Sequence, residues 1–233
     1  MIDTTILESL ERILGPSKLT VDPDKLEHYS ADCLAPSRAF GALPLLNSTT
    51  DVVVKPDSQE EVSAIVALAS AHKIPLIPYG GGSGVMGGII PINGGITVDL
   101  RGLNRILEVR HKDRTASMEA GVLLGELAKS LHEEGLMLGH DPWSVPIATV
   151  GGAIATNGIG YRAAAVGSMG TQVLGLEVVI PSGQVVTTQN MPYNSGGPNL
   201  SQLFVGSEGA FGIITRATLR IFRQPEKRTF STF

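Results

Sequence analysis

The sequence predicts an α+β protein in two lobes, a small parallel α/β lobe followed by a larger lobe with a mostly antiparallel sheet flanked by helices. Three observations carry that prediction. An apolar run, a helical period and a second apolar run succeed one another between residues 52 and 77, as a βαβ unit requires. Much later, a Pro181-Ser182-Gly183 turn joins two strand-like runs into a hairpin pattern. Between such elements lie dense glycine clusters: 28 of the 233 residues are glycine, above the usual ~7%, and the excess sits in a few places.

Taken in order, Ile6, Leu7, Leu10, Ile13 and Leu14 recur at helical spacing, and Gly15-Pro16 closes that helix. A short polar helix is expected over residues 24–29, and residues 33–50, with little period, read as connecting chain. Val52, Val53 and Val54 form a buried strand. Ser58-x-x-Glu61 is a capping box, and Val62, Ile65, Val66 and Ala69 make one apolar helix face. Residues 74–77 give a second strand, parallel to the first through a right-handed crossover. Residues 95–100 are a third strand, 101–104 a turn, and 105–109 with 115–120 an antiparallel pair. Leu124, Leu127, Ala128 and Leu131 line a helix that Gly135 ends. The hairpin pairs residues 173–180 with 185–188, and residues 213–222 form a long last strand with Ala217, Leu219 and Ile221 on one face. The expected division is a helical and connecting segment over 1–50, a first lobe over 51–104, a second lobe over 105–225, and the start of a linker over 226–233.

A net charge of -4 argues against general affinity for nucleic acid or anionic membrane. Cys33 is the only cysteine, so this chain alone builds neither an intrachain disulfide nor a Cys-based zinc or iron–sulfur site. Asp3, Glu8 and Glu11 stand where a signal peptide would be basic then apolar, and no apolar run approaches the ~20 residues of a membrane span. A cytoplasmic protein without direct membrane insertion is expected. Paired carboxylates, metal-spaced histidines and a nucleophile–base pair are all absent from the sequence pattern, so it names no catalytic residue and no metal ligand.

The densest glycine run is Pro78-Tyr79-Gly80-Gly81-Gly82-Ser83-Gly84-Val85-Met86-Gly87-Gly88. Glycine tolerates positive φ and close backbone approach, so such a run can turn successive N–H groups into one anion-holding nest. No Lys or Arg lies between Lys73 and Arg101, so the amides themselves would hold an anion. A Walker A loop needs Lys then Ser or Thr where Val85-Met86 stands. The Rossmann spacing is met by Gly82, Gly84 and Gly87, but Gly88-Ile-Ile-Pro91 cannot continue the helix which that motif demands. A mobile loop without a ligand is the alternative. A second segment, Thr149-Val-Gly-Gly-Ala-Ile-Ala-Thr-Asn-Gly-Ile-Gly160, follows the irregular stretch Gly139-His140-Asp141-Pro142-Trp143-Ser144. Its small residues would let a flat ring or a polyol chain lie against backbone, with Thr149, Thr156 and Asn157 available to hydrogen-bond polar edges; tight helix packing is the alternative. A third cluster, Gly206-Ser-Glu-Gly-Ala-Phe-Gly212, precedes the last strand.

In this order the clusters resemble the FAD-binding domain of the vanillyl-alcohol oxidase / p-cresol methylhydroxylase (PCMH-type) flavoprotein superfamily. The phrases concerned are Lys55-Pro-Asp-Ser-Gln-Glu-Glu-Val62, Ile74-Pro-Leu-Ile-Pro-Tyr-Gly-Gly-Gly-Ser-Gly84, Thr149-Val-Gly-Gly152 with Ala155-Thr-Asn157, Leu174-Gly-Leu-Glu-Val-Val179 and Gly206-Ser-Glu-Gly-Ala-Phe-Gly-Ile-Ile-Thr215. They span most of the chain. Within the superfamily the sequence looks closest to D-2-hydroxyacid dehydrogenases, such as D-lactate dehydrogenase, and the flavin subunit of glycolate oxidase.

The resemblance implies that Tyr79, Gly80, Gly81, Gly82, Ser83, Gly84 and Val85 wrap the FAD diphosphate. It places Pro142, Trp143, Ser144 and Thr149, then Gly151, Gly152, Thr156, Asn157 and Gly158, along the flavin and ribityl portion. It has Glu208, Gly212, Ile213 and Ile214 close over the nucleotide end. Relatives that tether FAD use a histidine in the glycine loop, and none is present here, so non-covalent FAD is implied. A side chain at Gly81 is expected to meet a strained positive φ, so that Gly81→Val would empty the site of a still-folded domain. The implied reaction is oxidation of a small D-2-hydroxy acid by hydride transfer to flavin N5, with a base outside this chain taking the hydroxyl proton. In the family the substrate binds in a cap domain beyond the last strand here, so a cap supplied elsewhere, and partner subunits or an electron acceptor, are implied. Gly139-His140-x-Pro142-x-Ser144 also resembles the alkylglycerone-phosphate synthase branch, which uses FAD without net oxidation. A non-catalytic FAD-binding subunit of a larger complex is the third possibility.

Overall fold

Residues 2–38, 46–191, 195–227 and 229 are described by a computed structural model. Helix α1 (Thr4–Leu14) starts where the Asp3 carboxylate accepts from the Thr5 N–H and stops at Gly15, whose φ of 79° few side chains tolerate. It buries Ile6, Leu10 and Leu14. Strand β1 (Leu19–Thr20) and helix α2 (Pro23–His28) follow, then β2 (Val52–Val54), α3 (Gln59–His72), β3 (Leu76–Tyr79) and β4 (Ile96–Asp99). These strands form one sheet in the order β1-β2-β4-β3. Both β2 and β3 pair parallel with β4, as Val54 opposite Val98 and Tyr79 opposite Asp99 show. The expected parallel direction of the βαβ unit holds, but β4 inserts between its two strands. Strand β1 pairs antiparallel with the outer edge of β2, Leu19 opposite Val54. Helices α1 and α3 share one core with this sheet, where each fully buried Leu, Ile or Val contributes on the order of 1.5–3 kcal/mol.

The second lobe comprises β5 (Ile106–Arg110), β6 (Thr115–Glu119), α4 (Leu124–Glu133), β7 (Leu136–Met137), α5 (Val150–Ala155), α6 (Ala163–Val166), β8 (Val173–Val179), β9 (Val185–Thr187), β10 (Ile213–Arg220) and β11 (Phe222–Arg223). Its main sheet runs β5-β6-β10-β8-β9, with every pairing antiparallel. The single long last strand expected over 213–222 is broken. Ile221 donates its N–H to the Arg114 carbonyl, and β11 leaves the sheet to pair with β7. Leu124, Leu127 and Leu131 of α4 bury against this sheet together with Val150 and Ile154 of α5.

The two lobes share α3 as a brace. Ser58 accepts from the Glu61 N–H at 3.2 Å, as a capping box requires, but the Glu61 carboxylate reaches the Asp57 N–H at 2.9 Å and Lys18 at 2.7 Å. Gln59 Nε2 donates to Glu177 at 2.9 Å and to Thr215 Oγ1 at 2.7 Å, both in the second sheet, and Ser63 Oγ donates to the Gly183 carbonyl of its hairpin turn. Val179 and Ile213 complete the first core from the second lobe. No described helix is long and apolar enough to cross a membrane.

Candidate cofactor site

Strand β3 ends at Tyr79, and the chain turns out of the sheet as the glycine run, beyond the carboxyl end of a parallel strand where α/β folds hold ligands. Among the described residues, the amides of residues 80–86 donate to no protein acceptor. Gly87 is different: its N–H donates to Asp32 Oδ2 at 2.9 Å. Positive φ is confined to Gly82 (63°) and Gly87 (77°) in this loop. The expected obstacle at Gly81 is therefore corrected, because a Cβ there would overlap the Ile147 carbonyl oxygen rather than adopt a forbidden φ. A Cβ on Gly80 would overlap the Thr149 hydroxyl. The loop thus rests directly on the backbone of residues 147–149.

That backbone leads into α5. Thr149 caps the helix, its Oγ1 accepting from the Gly152 N–H at 3.2 Å, and Gly151 lets the helix lie against Ala120, the residue that follows β6, since a Cβ there would stand 2.8 Å from Ala120 Cβ. The carbonyls of Ile154 and Ala155 at the helix end accept the N–H groups of Gly206 (3.1 Å) and Glu208 (2.9 Å). The third glycine cluster is pinned in place by this means. Glu208 holds φ at 50°, and its carboxylate crosses to Gly88, where a Cβ would overlap it. Three segments far apart in sequence therefore meet.

They enclose one cavity of about 490 Å³, whose wall carries every residue singled out from the sequence, from Tyr79 to Val85, through Pro142, Trp143, Ser144 and Thr149 to Gly158, to Glu208, Gly212, Ile213 and Ile214. That volume is in the range of cofactor and ligand clefts. Trp143 stands at the rim, 74% exposed. In the second segment two side-chain oxygens are engaged within the fold. Thr156 Oγ1 donates to the Gly152 carbonyl at 3.0 Å, and Asn157 Oδ1 accepts from the Gly170 N–H at 3.0 Å.

Beyond the residues assigned to the cofactor from the sequence, the wall carries His140, noted in the sequence only as lying in the stretch before the second segment, and Asp32, which sequence reasoning missed along with one nearby cation. His140 is only 3% exposed and packs on Gly158, and its Nδ1 is buried without a described partner. Burial holds its pKa below the ordinary histidine value, with Asp141 opposing, so the ring is neutral. The cation is Arg101, which grips the fully buried Asp99 through two bonds of 2.9 and 2.8 Å and bonds the Tyr29 hydroxyl at 2.9 Å. Its guanidinium lies 5.2 Å from the Tyr79 ring centre. The hydrogen bonds to Asp99 raise its own pKa, and burial beside Asp99 pushes Tyr29 up to about 12. Asp99 neutralises this cation behind the loop, so the cavity side is left to amides. No residue pattern signals Asp32 or Arg101, because each acts on a loop remote in sequence.

An unbonded amide run, a buried unpartnered imidazole nitrogen and a cleft of this size fit a phosphate-bearing dinucleotide. Residues 50–189 match the family described as FAD binding domain. The chain is 32% identical over 98% of its length to glycolate oxidase subunit GlcD of Bacillus subtilis, and 33% identical over 98% to a D-2-hydroxyglutarate dehydrogenase of Stutzerimonas stutzeri. It covers 47% and 48% of those proteins, so it spans about half the length of the curated relatives it matches. A solved alkyldihydroxyacetonephosphate synthase superposes on 97% of the chain with a TM-score of 0.86 at 29% identity, covering 42% of that protein. Substrate-bound p-cresol methylhydroxylase superposes on 96% of the chain and 44% of its own with a TM-score of 0.79 at 22% identity, which confirms the expected PCMH-type α+β fold. With more than half of its length matched, the chain belongs to the FAD-binding domain family, and the cofactor of this domain is FAD.

Proposed function

We propose that this chain is the FAD-binding part of a flavin-dependent oxidoreductase acting on a small D-2-hydroxy acid of the lactate or glycolate type. The observation that carries the reading is the unbonded amide run at residues 80–86 on the cavity wall. A hydrogen bond to a charged group is worth ~1.5–3 kcal/mol, so three or four of these amides hold a diphosphate without a side-chain cation. Residues 79–85 take that group, residues 142–144 and 149–158 form the bed for the flavin and ribityl chain, and Glu208 with residues 212–214 closes the nucleotide end. Thr156 Oγ1 and Asn157 Oδ1 are engaged within the fold, so the polar edges of the cofactor are left to the backbone and to Nδ2 of the exposed Asn157.

Bound there, FAD supplies the hydride acceptor, and this chain supplies position, exclusion of water and oriented dipoles. The base that takes the hydroxyl proton, the substrate pocket and the electron acceptor come from outside these residues, consistent with a relative named as a subunit. FAD is held non-covalently: the glycine loop has no histidine, and His140, the one histidine on the wall, is buried against Gly158. The cytoplasm suits a chain with one unpaired cysteine.

The test is spectroscopic. The natural protein or assembly that carries this chain should show flavin absorbance, release its flavin on denaturation, and bleach anaerobically with D-lactate or glycolate. Absence of flavin rejects the cofactor site, and yellow colour that stays with denatured protein rejects the non-covalent assignment. Gly139-His140-x-Pro142-x-Ser144 and the synthase superposition favour a second reading, a transferase using FAD without net oxidation. Flavin that binds but is never reduced by hydroxy acids selects it.

A further inference from the structure

Residues 29–34 lie outside the stretch matched to the FAD-binding family, between the end of the expected short helix and the expected connecting chain. In the structure they form a strap against the outer side of the glycine loop. Three contacts define it. The Tyr29 ring meets Tyr79 edge-on at 4.8 Å, at the point where the loop leaves the sheet. The Cys33 N–H donates to the Gly84 carbonyl at 2.8 Å. Asp32, on the cavity wall, uses one carboxylate oxygen to accept from Leu34 N–H at 2.9 Å and the other to accept from Gly87 N–H at 2.9 Å.

We infer that Asp32 is a positioning residue for the diphosphate site: it fixes the far half of the glycine loop so that the amides of residues 80–86 converge on one anion. The inference rests on reading that loop as the diphosphate nest. An unanchored glycine run visits many backbone conformations, and ordering it on binding would be charged against affinity. The first half of the loop is already ordered, because Gly80 and Gly81 rest on Thr149 and Ile147. The second half, residues 84–87, is tied to the strap by the Cys33–Gly84 and Asp32–Gly87 bonds, and beyond those Ile90 donates its N–H back to the Gly87 carbonyl at 3.1 Å. Asp32 is suited to the task by its Asx-type turn, in which the bond to Leu34 fixes one oxygen and so aims the other at Gly87. It takes the one amide at the end of the run and leaves the preceding ones free.

Asp32→Asn tests this with almost no change in shape. Retaining the bond to Leu34 forces the amide NH2 toward the Gly87 N–H, turning an acceptor into a donor. FAD and ADP, the latter as a probe of the diphosphate end, should both bind roughly tenfold or more weakly, the loss of about one charge-assisted hydrogen bond. The far-UV circular dichroism and the flavin-free melting temperature should stay as in the unaltered protein, and the Gly87 amide should exchange faster with solvent by NMR in the absence of any ligand. Asp32→Ala should reproduce the loss. Unchanged FAD and ADP affinity in Asp32→Asn overturns the assignment, as does a Gly87 amide that exchanges no faster. If the unaltered protein itself fails to bind FAD, the cofactor reading falls, and the Gly87 exchange rate alone decides whether Asp32 holds the loop.

Discussion

The glycine-rich segments at residues 80–88 and 149–160 share a composition and use it in opposite ways. In the first, the amides of residues 80–86 meet no described protein acceptor. In the second, the amides of residues 150–153 and 156–158 are all bonded, to the Ala120 and Val122 carbonyls, to Thr149 or within the short helix. Glycine in the first leaves donors free for a ligand, whereas glycine in the second removes side-chain bulk so that α5 can touch the strand beneath it. Of the two alternatives posed for the second segment, the structure shows the tight helix packing, and the same small residues line the cavity.

Substitutions sharpen the contrast. Gly81→Ala should have the largest effect, because its Cβ would overlap the rigid Ile147 carbonyl and part the loop from its bed. At ~3 kcal/mol for a forced overlap, FAD affinity should fall by roughly a hundredfold or more, read from flavin content and fluorescence titration. Stoichiometric flavin in that variant would mean the two segments separate without consequence. Gly151→Ala should act first on stability. A Cβ 2.8 Å from that of Ala120 costs ~1–3 kcal/mol, at roughly 2–4 °C of melting temperature per kcal/mol, while the folded fraction keeps its flavin. Flavin loss at an unchanged melting temperature would erase the distinction between the segments.

The smallest effect concerns pH. The His140 pKa is lowered by burial, so the unfolded chain binds a proton more readily than the folded one. Its contribution is fully present above the unfolded value of about 6.5 and is lost as pH falls toward the depressed folded value. Stability should therefore fall slightly more on acidification than in His140→Asn, measured by denaturant unfolding across that window. Identical profiles would mean that the ring is hydrated.

Much of this arrangement is legible in the sequence, for identifiable reasons. Val52–Val54, the Val62, Ile65, Val66 and Ala69 face, and the Pro181-Ser182-Gly183 hairpin declare themselves because period and turn chemistry are local properties. The glycine loop is legible too, since no regular element tolerates such a run. Strand β1 is two residues long and carries no period, and the place of β4 between β2 and β3 depends on pairing that no window along the chain contains. Asp32 and Arg101 stay hidden because the loop they support is brought to them only by the fold. The capping box shows a subtler limit: Ser58 behaves as its motif demands, while Glu61 turns to Asp57 and Lys18, which the motif does not include.

Helix α3 has one more implication. With Gln59 tied to Glu177 and Thr215, and Ser63 to Gly183, the two halves are riveted together through one helix. They cannot gape like a clamshell unless those rivets shear.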